Sequence, residues 1–424
     1  MYLGAIADDF TGATDLANVL TKGGLSAVQL NGIDACTEEN AIRVKTHDAV
    51  IIALKSRSCP VDEAIKHSCQ ALEWLQSIGC EKFFFKYCST FDSTDKGNIG
   101  PVAEALLERL GESFTIACPA APENGRTVYQ GHLFVGSQLL SETGMRHHPI
   151  TPMTDANLVR VLGRQTQGAV GLLPHAAVND GIEEATKVLD NVRGVGNRFA
   201  IADALNTQDL QTLAGVTKNL RLLTGGSGLA VGLPALMREQ GAVSEQQAKL
   251  NWPDKGKSLI ISGSCSQATN EQVKVFSRSN PAFHLNPALL VEDPRGVIEK
   301  ALDFALKSEN SPALIFSTAA PADLSATQQA LGQDQASEMI EQAMGKIAKR
   351  AVEAGVRKLV VAGGETSGAV VSALAIKGLA IGPEIDPGVP WTLSLNDEPI
   401  ALALKSGNFG GPDFFSRAFE VLPR

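Results

Sequence analysis

The sequence predicts an α/β protein built as two tandem α/β domains with mainly parallel sheets. Two observations predict it. Short apolar runs alternate with amphipathic helical stretches, as expected when crossover helices bury parallel strands on both faces. The alternation breaks once, near residues 237–257, where MREQGAVSEQQAKLNWPDKGKS is polar and glutamine-rich with Pro253 and Gly256, and then resumes. The break reads as a linker between domains at 1–240 and 258–424.

In the first domain the candidate strands are YLGAIA, SAVQLN, AVIIALK, KFFFKY, FTIACPA, AVGLLP, RFAIADA and LRLLTGG. In CPVDEAIKHSCQALEWLQSIG, Ile65, Cys69 and Leu72 share a helical face, with Pro60 suited to the first turn and Gly79 to the stop. Val102, Leu106 and Leu110 do the same in PVAEALLERLG, which opens on Pro101 and closes on Gly111. In the second domain SLIISG, AFHLN, ALIFST, KLVVAGG and IALALKSG read as strands, and Ile340, Met344, Ile347 and Ala351 line a long helix. The Ala- and Gln-rich stretch from Ala319 to Ser337 reads as helix plus surface loop.

The net charge of −9 argues against nucleic acid and anionic membranes, both of which need a basic face. It leaves room for an anionic small molecule in a local basic pocket. The seven cysteines are odd in number and none are spaced as a metal knuckle, so they read as reduced thiols in a cytoplasmic protein. The opening apolar run is short, lacks a basic start and meets Asp8 and Asp9 at once, unlike a secretory signal.

Ligands of open parallel sheets bind beyond the carboxyl ends of the strands, and there the two domains differ. The first ends its strands in charge: Asp8 and Asp9, then Lys55 and Arg57, then Lys86 and Asp92, then Asn124 and Arg126, with His147, His148 and Asp155 further on. Cations beside carboxylates suit a small molecule carrying both hydroxyls and a negative charge. Asp8 or Asp9 is a candidate proton acceptor, and one of the two suits an N-cap for the following helix. The second domain ends its strands in glycine and hydroxyl: Ser262–Ser264, Gly363–Ser367 and Lys405–Gly410. Three such loops in one domain suit a nucleotide, because glycine lets the backbone approach phosphate and a helix start offers unpaired N–H groups. No phosphate-loop motif is present. TGGSGLAVG meets the dinucleotide fingerprint poorly, and leaves a nicotinamide-dependent sugar-acid dehydrogenase as the rival reading.

The segments ADDFTGATD, LKSRS, KYCSTFDSTDKGNIGP, NGRT, HPITPMTD, GGSGL, SGSCS, GGETSG and LKSGNFG run in order along the chain. In this they resemble the four-carbon acid sugar kinases, and most closely the branch acting on 3-oxo-tetronate. The resemblance implies transfer of phosphate from ATP, with Mg²⁺, to the 4-hydroxyl of the sugar acid, in an active site in the interdomain cleft. It implies that Ser262, Gly363, Gly364, Glu365, Thr366 and Gly407 contact ATP. Lys55, Arg57, Lys86, Asp92 and Arg126 would line the sugar-acid side, with Asp9 or Asp8 catalytic and the metal ligands unknown. Sibling threonate and erythronate kinases share nearly all of these residues. Kinases of this sort are often homodimers.

Overall fold

The computed structural model describes residues 2–148, 151–243, 250–264, 266–308, 311–317 and 333–423, with side chains from 338 onward in the last segment. Cys265, residues 149–150 of the HPITPMTD segment, and the backbone of 319–332 in the Ala- and Gln-rich stretch lie outside the described residues. The chain forms two compact units, Met1–Ala248 and Lys249–Arg424.

In the first unit all eight expected strands form: β1 (Leu3–Ala7), β2 (Ala27–Asn31), β3 (Ala49–Ala53), β4 (Lys82–Lys86), β5 (Thr115–Cys118), β9 (Ala169–Leu173), β10 (Asn197–Ala202) and β11 (Leu222–Gly225). They pair in the order β2-β3-β1-β4-β11-β5-β10-β9, and each pairing is parallel. Every residue of β1, β3 and β4 is buried, including the aromatic run Phe83–Phe85, as helical cover on both faces requires. The helix Val61–Ser77 begins one residue later than expected: Pro60 is its N-cap, and Gly79 takes the left-handed backbone (φ 94°) just past its end. Pro101 falls within the first turn of Ile99–Leu110, and Gly111 caps that helix in the left-handed region.

Between β5 and β9 the chain adds an antiparallel sheet not anticipated from the sequence: β6 (Arg126–Tyr129), β7 (His132–Val135) and β8 (Gln138–Leu139). Asp203, wholly buried at the end of β10, holds the β6–β7 turn by accepting the backbone N–H groups of Gln130 (2.7 Å) and Gly131 (2.9 Å), and also takes that of His175 (2.9 Å).

In the second unit the strands are β12 (Lys257–Ser262), β13 (Ala282–His284), β14 (Ala313–Phe316), β15 (Val356–Ala362), β16 (Gly378–Asp386), β17 (Val389–Ser394) and β18 (Ala401–Lys405). Their order is β13-β14-β12-β15-β18-β17-β16. The first five are parallel, as expected. Strands β16 and β17 are not anticipated from the sequence, and β17 runs antiparallel to both β16 and β18. The core joins Ile260, Leu314 and Val360 to Trp391, Phe414 and Phe415. The Trp391 indole donates to the Ala418 carbonyl (2.6 Å), so its buried N–H is satisfied. The expected stripe Ile340, Met344, Ile347 and Ala351 is buried on the helix Gln333–Glu353.

Candidate active site

Register brings three strand ends of the first unit together. Ala7 of β1 lies opposite Ala53 of β3 and Lys86 of β4, so the residues just beyond them emerge side by side. After β3 the chain folds back, and the N–H groups of Ser56 and Arg57 both donate to the Asp8 carbonyl (3.0 and 3.2 Å). The bend carries Arg57 over the carboxylates and leaves Lys55 exposed, outside the cluster.

Arg57 makes a fork to Asp8, Nε to Oδ2 at 2.9 Å and Nη2 to Oδ1 at 2.8 Å. The same Nη2 lies 2.8 Å from Asp9 Oδ1, and Nη1 lies 3.7 Å from Asp92 Oδ2. Burial works against the charge on Arg57, but Asp8 and Asp9 outweigh it and hold the guanidinium above its ordinary pKa. Burial also pushes the Asp8 carboxyl up from the usual range, against the pull of Arg57.

The two adjacent aspartates thus differ. The Asp8 side chain is 6% exposed and both its oxygens are engaged; that of Asp9 is 32% exposed. Asp9 Oδ1 accepts the Gly12 N–H (2.9 Å) as the N-cap of the helix Phe10–Lys22, and among the described residues no hydrogen bond reaches Oδ2. A Cβ on Gly12 would collide with Asp9 Oδ1 and stand 3.1 Å from Lys86 Nζ, so a side chain there would have to displace the capping carboxylate. Lys86 is buried, donating to the Tyr87 carbonyl (3.0 Å) with Asp15 4.0 Å away.

Asp92 is steadied by Thr90, whose hydroxyl donates to Oδ1 at 2.6 Å. Between them Phe91, wholly buried and edge-on to Tyr87, takes a left-handed backbone (φ 61°). Arg126 stands on β6: its guanidinium donates to the Asn124 carbonyl, and its Nε is buried with no partner among the described residues. His148 Nδ1 bonds Thr151, and Asp155 pairs with Arg160, so both have local structural duties.

The second unit repeats the device. Ser262 of β12, Ala362 of β15 and Lys405 of β18 are in register, so three loops leave one edge together. Their glycines pack against the hydroxyl side chains of the neighbouring loops. A Cβ on Gly263 would strike Thr366 Oγ1; one on Gly407 would stand 2.5 Å from Ser264 Oγ; one on Gly363 would stand 2.9 Å from Thr366 Oγ1. The helix Gly364–Ala373 starts without a side-chain cap, and Ser367 Oγ close behind is buried without a partner among the described residues. Such a close-packed glycine cradle at an open helix start fits a phosphate chain. Gly364 and Glu365 are exposed at its mouth, Thr366 is buried, and Ser262 is wholly buried within its strand.

Lys405, the last residue of β18, is also wholly buried. Its ammonium donates to Thr269 Oγ1 (2.9 Å), Gly407 O (3.0 Å) and Ser406 O (3.1 Å), and among the described residues no carboxylate pairs with it. Burial lowers its pKa to about 8.

Gly363→Ala tests the cradle. Its φ of 125° is outside the range that residues with a side chain readily adopt, so the change should cost about 1–3 kcal/mol, concentrated in this loop. The expected result is a raised KM for ATP with an unchanged KM for the acceptor in steady-state kinetics.

The dinucleotide reading of TGGSGLAVG is overturned by packing. A Cβ on Gly225, Gly226 or Gly228 would run into the backbone carbonyls of Cys118, Pro119 and Ala120, so these glycines serve close contact with the end of β5. The chain then enters a 3-10 turn, Ser227–Gly232, in place of an α-helix start.

The sugar-binding N-terminal domain profile matches residues 3–233 and the nucleotide-binding C-terminal domain profile residues 259–415. The chain belongs to the four-carbon acid sugar kinase family. Similar members of this kinase family include the 3-oxo-tetronate kinase of Pseudomonas fluorescens, 52% identical over 421 residues, covering 99% of this chain and 97% of that protein. That of Salmonella typhimurium is 45% identical, covering 99% and 98%. A crystal structure from Salmonella typhimurium LT2, described as a tRNA synthase, superposes with a TM-score of 0.91 at 45% identity, covering 98% of each chain. A Haemophilus influenzae protein of family DUF1537 superposes at 0.88 and 44%, covering 99% of each. Among the described residues no helix is long and apolar enough to cross a membrane.

Proposed function

We propose that this chain is an ATP-dependent kinase that phosphorylates the 4-hydroxyl of 3-oxo-tetronate, with residues 1–240 binding the sugar acid and 258–424 the nucleotide. The substrate follows from the full-length similarity to 3-oxo-tetronate kinases. The observation that carries the chemistry is Asp9: a partly exposed carboxylate beside Arg57, with one oxygen committed to a helix cap and the other unengaged among the described residues. Asp9 Oδ2 takes the proton of the acceptor hydroxyl or orients it, and Asp8 holds Arg57 in place. Arg126, with a buried donor in want of an acceptor, suits the sugar carboxylate better than Arg57, whose fork is already engaged. Lys86 and Asp92 complete the wall on that side. Lys55, being exposed, would bind only at the rim.

Phosphoryl transfer depends mainly on alignment and charge neutralisation, so the protein has little covalent work. The Gly363–Thr366 and Gly407 loops hold the phosphates, supported by the Lys405 charge, with Ser262 shaping the loop from beneath. Among the described residues no cluster of three or more acidic, histidine or cysteine side chains suits a metal. Mg²⁺ bound with the nucleotide would neutralise phosphate charge.

The test is ADP release by purified protein with MgATP and 3-oxo-tetronates, threonates and erythronates in parallel. Turnover confined to the 3-oxo acids is expected. Turnover only on threonate or erythronate would keep the family and reject this substrate.

Lys405 gives a pH signature. Its folded pKa of about 8 lies below the ordinary lysine value of 10.5. Between these values the unfolded chain holds a proton that the folded chain has lost, so its contribution to stability rises with pH across this window. Nucleotide affinity should move oppositely, because the ammonium loses its charge as pH passes 8. In Lys405→Met the alkaline rise in KM for ATP should vanish.

A further inference from the structure

The helix Gln267–Phe276 turns one polar stripe towards the Ser406–Gly411 loop. Ser266 at its N-cap, Thr269 and Gln272 are spaced three apart and share a face, while Val273 and Phe276 pack into the core. Ser266 Oγ and Thr269 Oγ1 donate to the Gly407 carbonyl at 2.5 and 2.7 Å. Gln272 reaches further along the same loop: its Nε2 stands 3.0 Å from the carbonyl of Phe409, 2.9 Å from that of Gly410 and 3.1 Å from that of Gly411. Its side chain is wholly buried, and its Oε1 has no partner among the described residues. Rotating the amide would turn that oxygen onto three carbonyl oxygens, so the donor must face the loop.

Carbonyls drawn inward have a consequence for the N–H groups. In a trans peptide the C=O of one residue and the N–H of the next point in opposite directions. With the carbonyls of Gly407 and Phe409 held against the helix, the N–H groups of Asn408 and Gly410 face away from it. The Gly411 N–H is taken by Asp386 Oδ2 (3.0 Å), which closes the loop's far end. Gly410 supplies the left-handed backbone (φ 82°) that this path needs.

We propose that Gln272 is a positioning residue for phosphate binding: by holding the Phe409 carbonyl it presents the Gly410 N–H to the nucleotide beside that of Asn408, while the Phe409 N–H stays bonded to the Ser406 carbonyl (3.2 Å). This rests on the nucleotide reading of the second unit. Gln272 does not touch the nucleotide itself and acts through the loop.

The test uses the full chain with Gln272→Met, which keeps the volume and removes the donor, and Gln272→Glu, which sets acceptors against the three carbonyls. ATP affinity is read by calorimetry, alongside KM for each substrate and Tm. The expected result is an affinity loss of about tenfold or more for Gln272→Met, and a larger one for Gln272→Glu, with KM for the sugar acid unchanged. Should Gln272→Glu fail to fold, Gln272→Asn replaces it; its shorter amide reaches fewer carbonyls and should give an intermediate loss. Wild-type ATP affinity in the folded variants would overturn the proposal alone. A wild-type protein that binds no ATP would overturn the nucleotide reading with it. A KM increase shared equally by both substrates would also overturn it, since that marks general loosening.

Discussion

Replacing Asp9 by asparagine should lower kcat by about two to four powers of ten while leaving the protein folded. The substitution separates two duties that one side chain performs. Asparagine caps a helix about as well as aspartate, so the bond to the Gly12 N–H survives and Tm should hardly move. What disappears is the negative charge and the basicity of the oxygen facing the acceptor hydroxyl. Steady-state kinetics with a thermal melt checks this: near-normal turnover at an unchanged Tm would reduce Asp9 to a cap. Alanine at the same position should lose both duties, with about a further 1 kcal/mol of stability gone with the cap.

Removing Arg57 should damage folding and activity together. Arg57→Ala strips both hydrogen bonds from Asp8, whose side chain is nearly inaccessible to water, and takes the counter-charge from Asp9. Breaking a buried pair on one side typically costs about 3–5 kcal/mol, and the partial exposure of Arg57 favours the lower end. Arg57→Lys should not restore activity, because one ammonium cannot reproduce the fork to Asp8 together with the contact to Asp9. A denaturant-based double-mutant cycle with Asp8→Ala is the check. The double variant should be less destabilised than the sum of the single ones, because no charge is then stranded. Strict additivity would mean that the pair contributes nothing.

The parallel strands were legible because burial on both faces leaves unbroken apolar runs such as AVIIA and LVVA. The β6–β7 hairpin escaped for an opposite reason: RTVY and HLFV are short and only partly buried, and their turn carries no familiar signal. Gln130 and Gly131 both have positive φ (50° and 71°), the geometry usually signalled by Asn-Gly or Asp-Gly. Strands β16 and β17, on either side of the Pro387–Gly388 turn, are almost wholly buried but were hidden by Pro383 and Pro390 within them, residues that argue against a strand. At the site, strand ends pointed correctly to Asp8, Asp9, Arg57 and Lys86 as neighbours. They did not distinguish Lys55 from Arg57, since only the fold of 56–57 back onto the Asp8 carbonyl decides which cation turns inward. Gln272 was missed because its partners are backbone carbonyls far along the chain, which leave no trace in side-chain spacing.

Phe91 sets a constraint on how this protein can drift. Its ring fills the core beside Tyr87, while its backbone adopts a shape that suits glycine. Glycine would relax the main chain and empty the space the ring occupies; leucine would fill part of that space and keep the unfavourable torsion; a β-branched residue would worsen the torsion and fill less. Glycine relieves the backbone only by emptying the core, and the other two exchanges relieve neither demand. None of these exchanges improves the position as a whole, so the turn that sets out the neighbouring Asp92 carboxylate is kept with it.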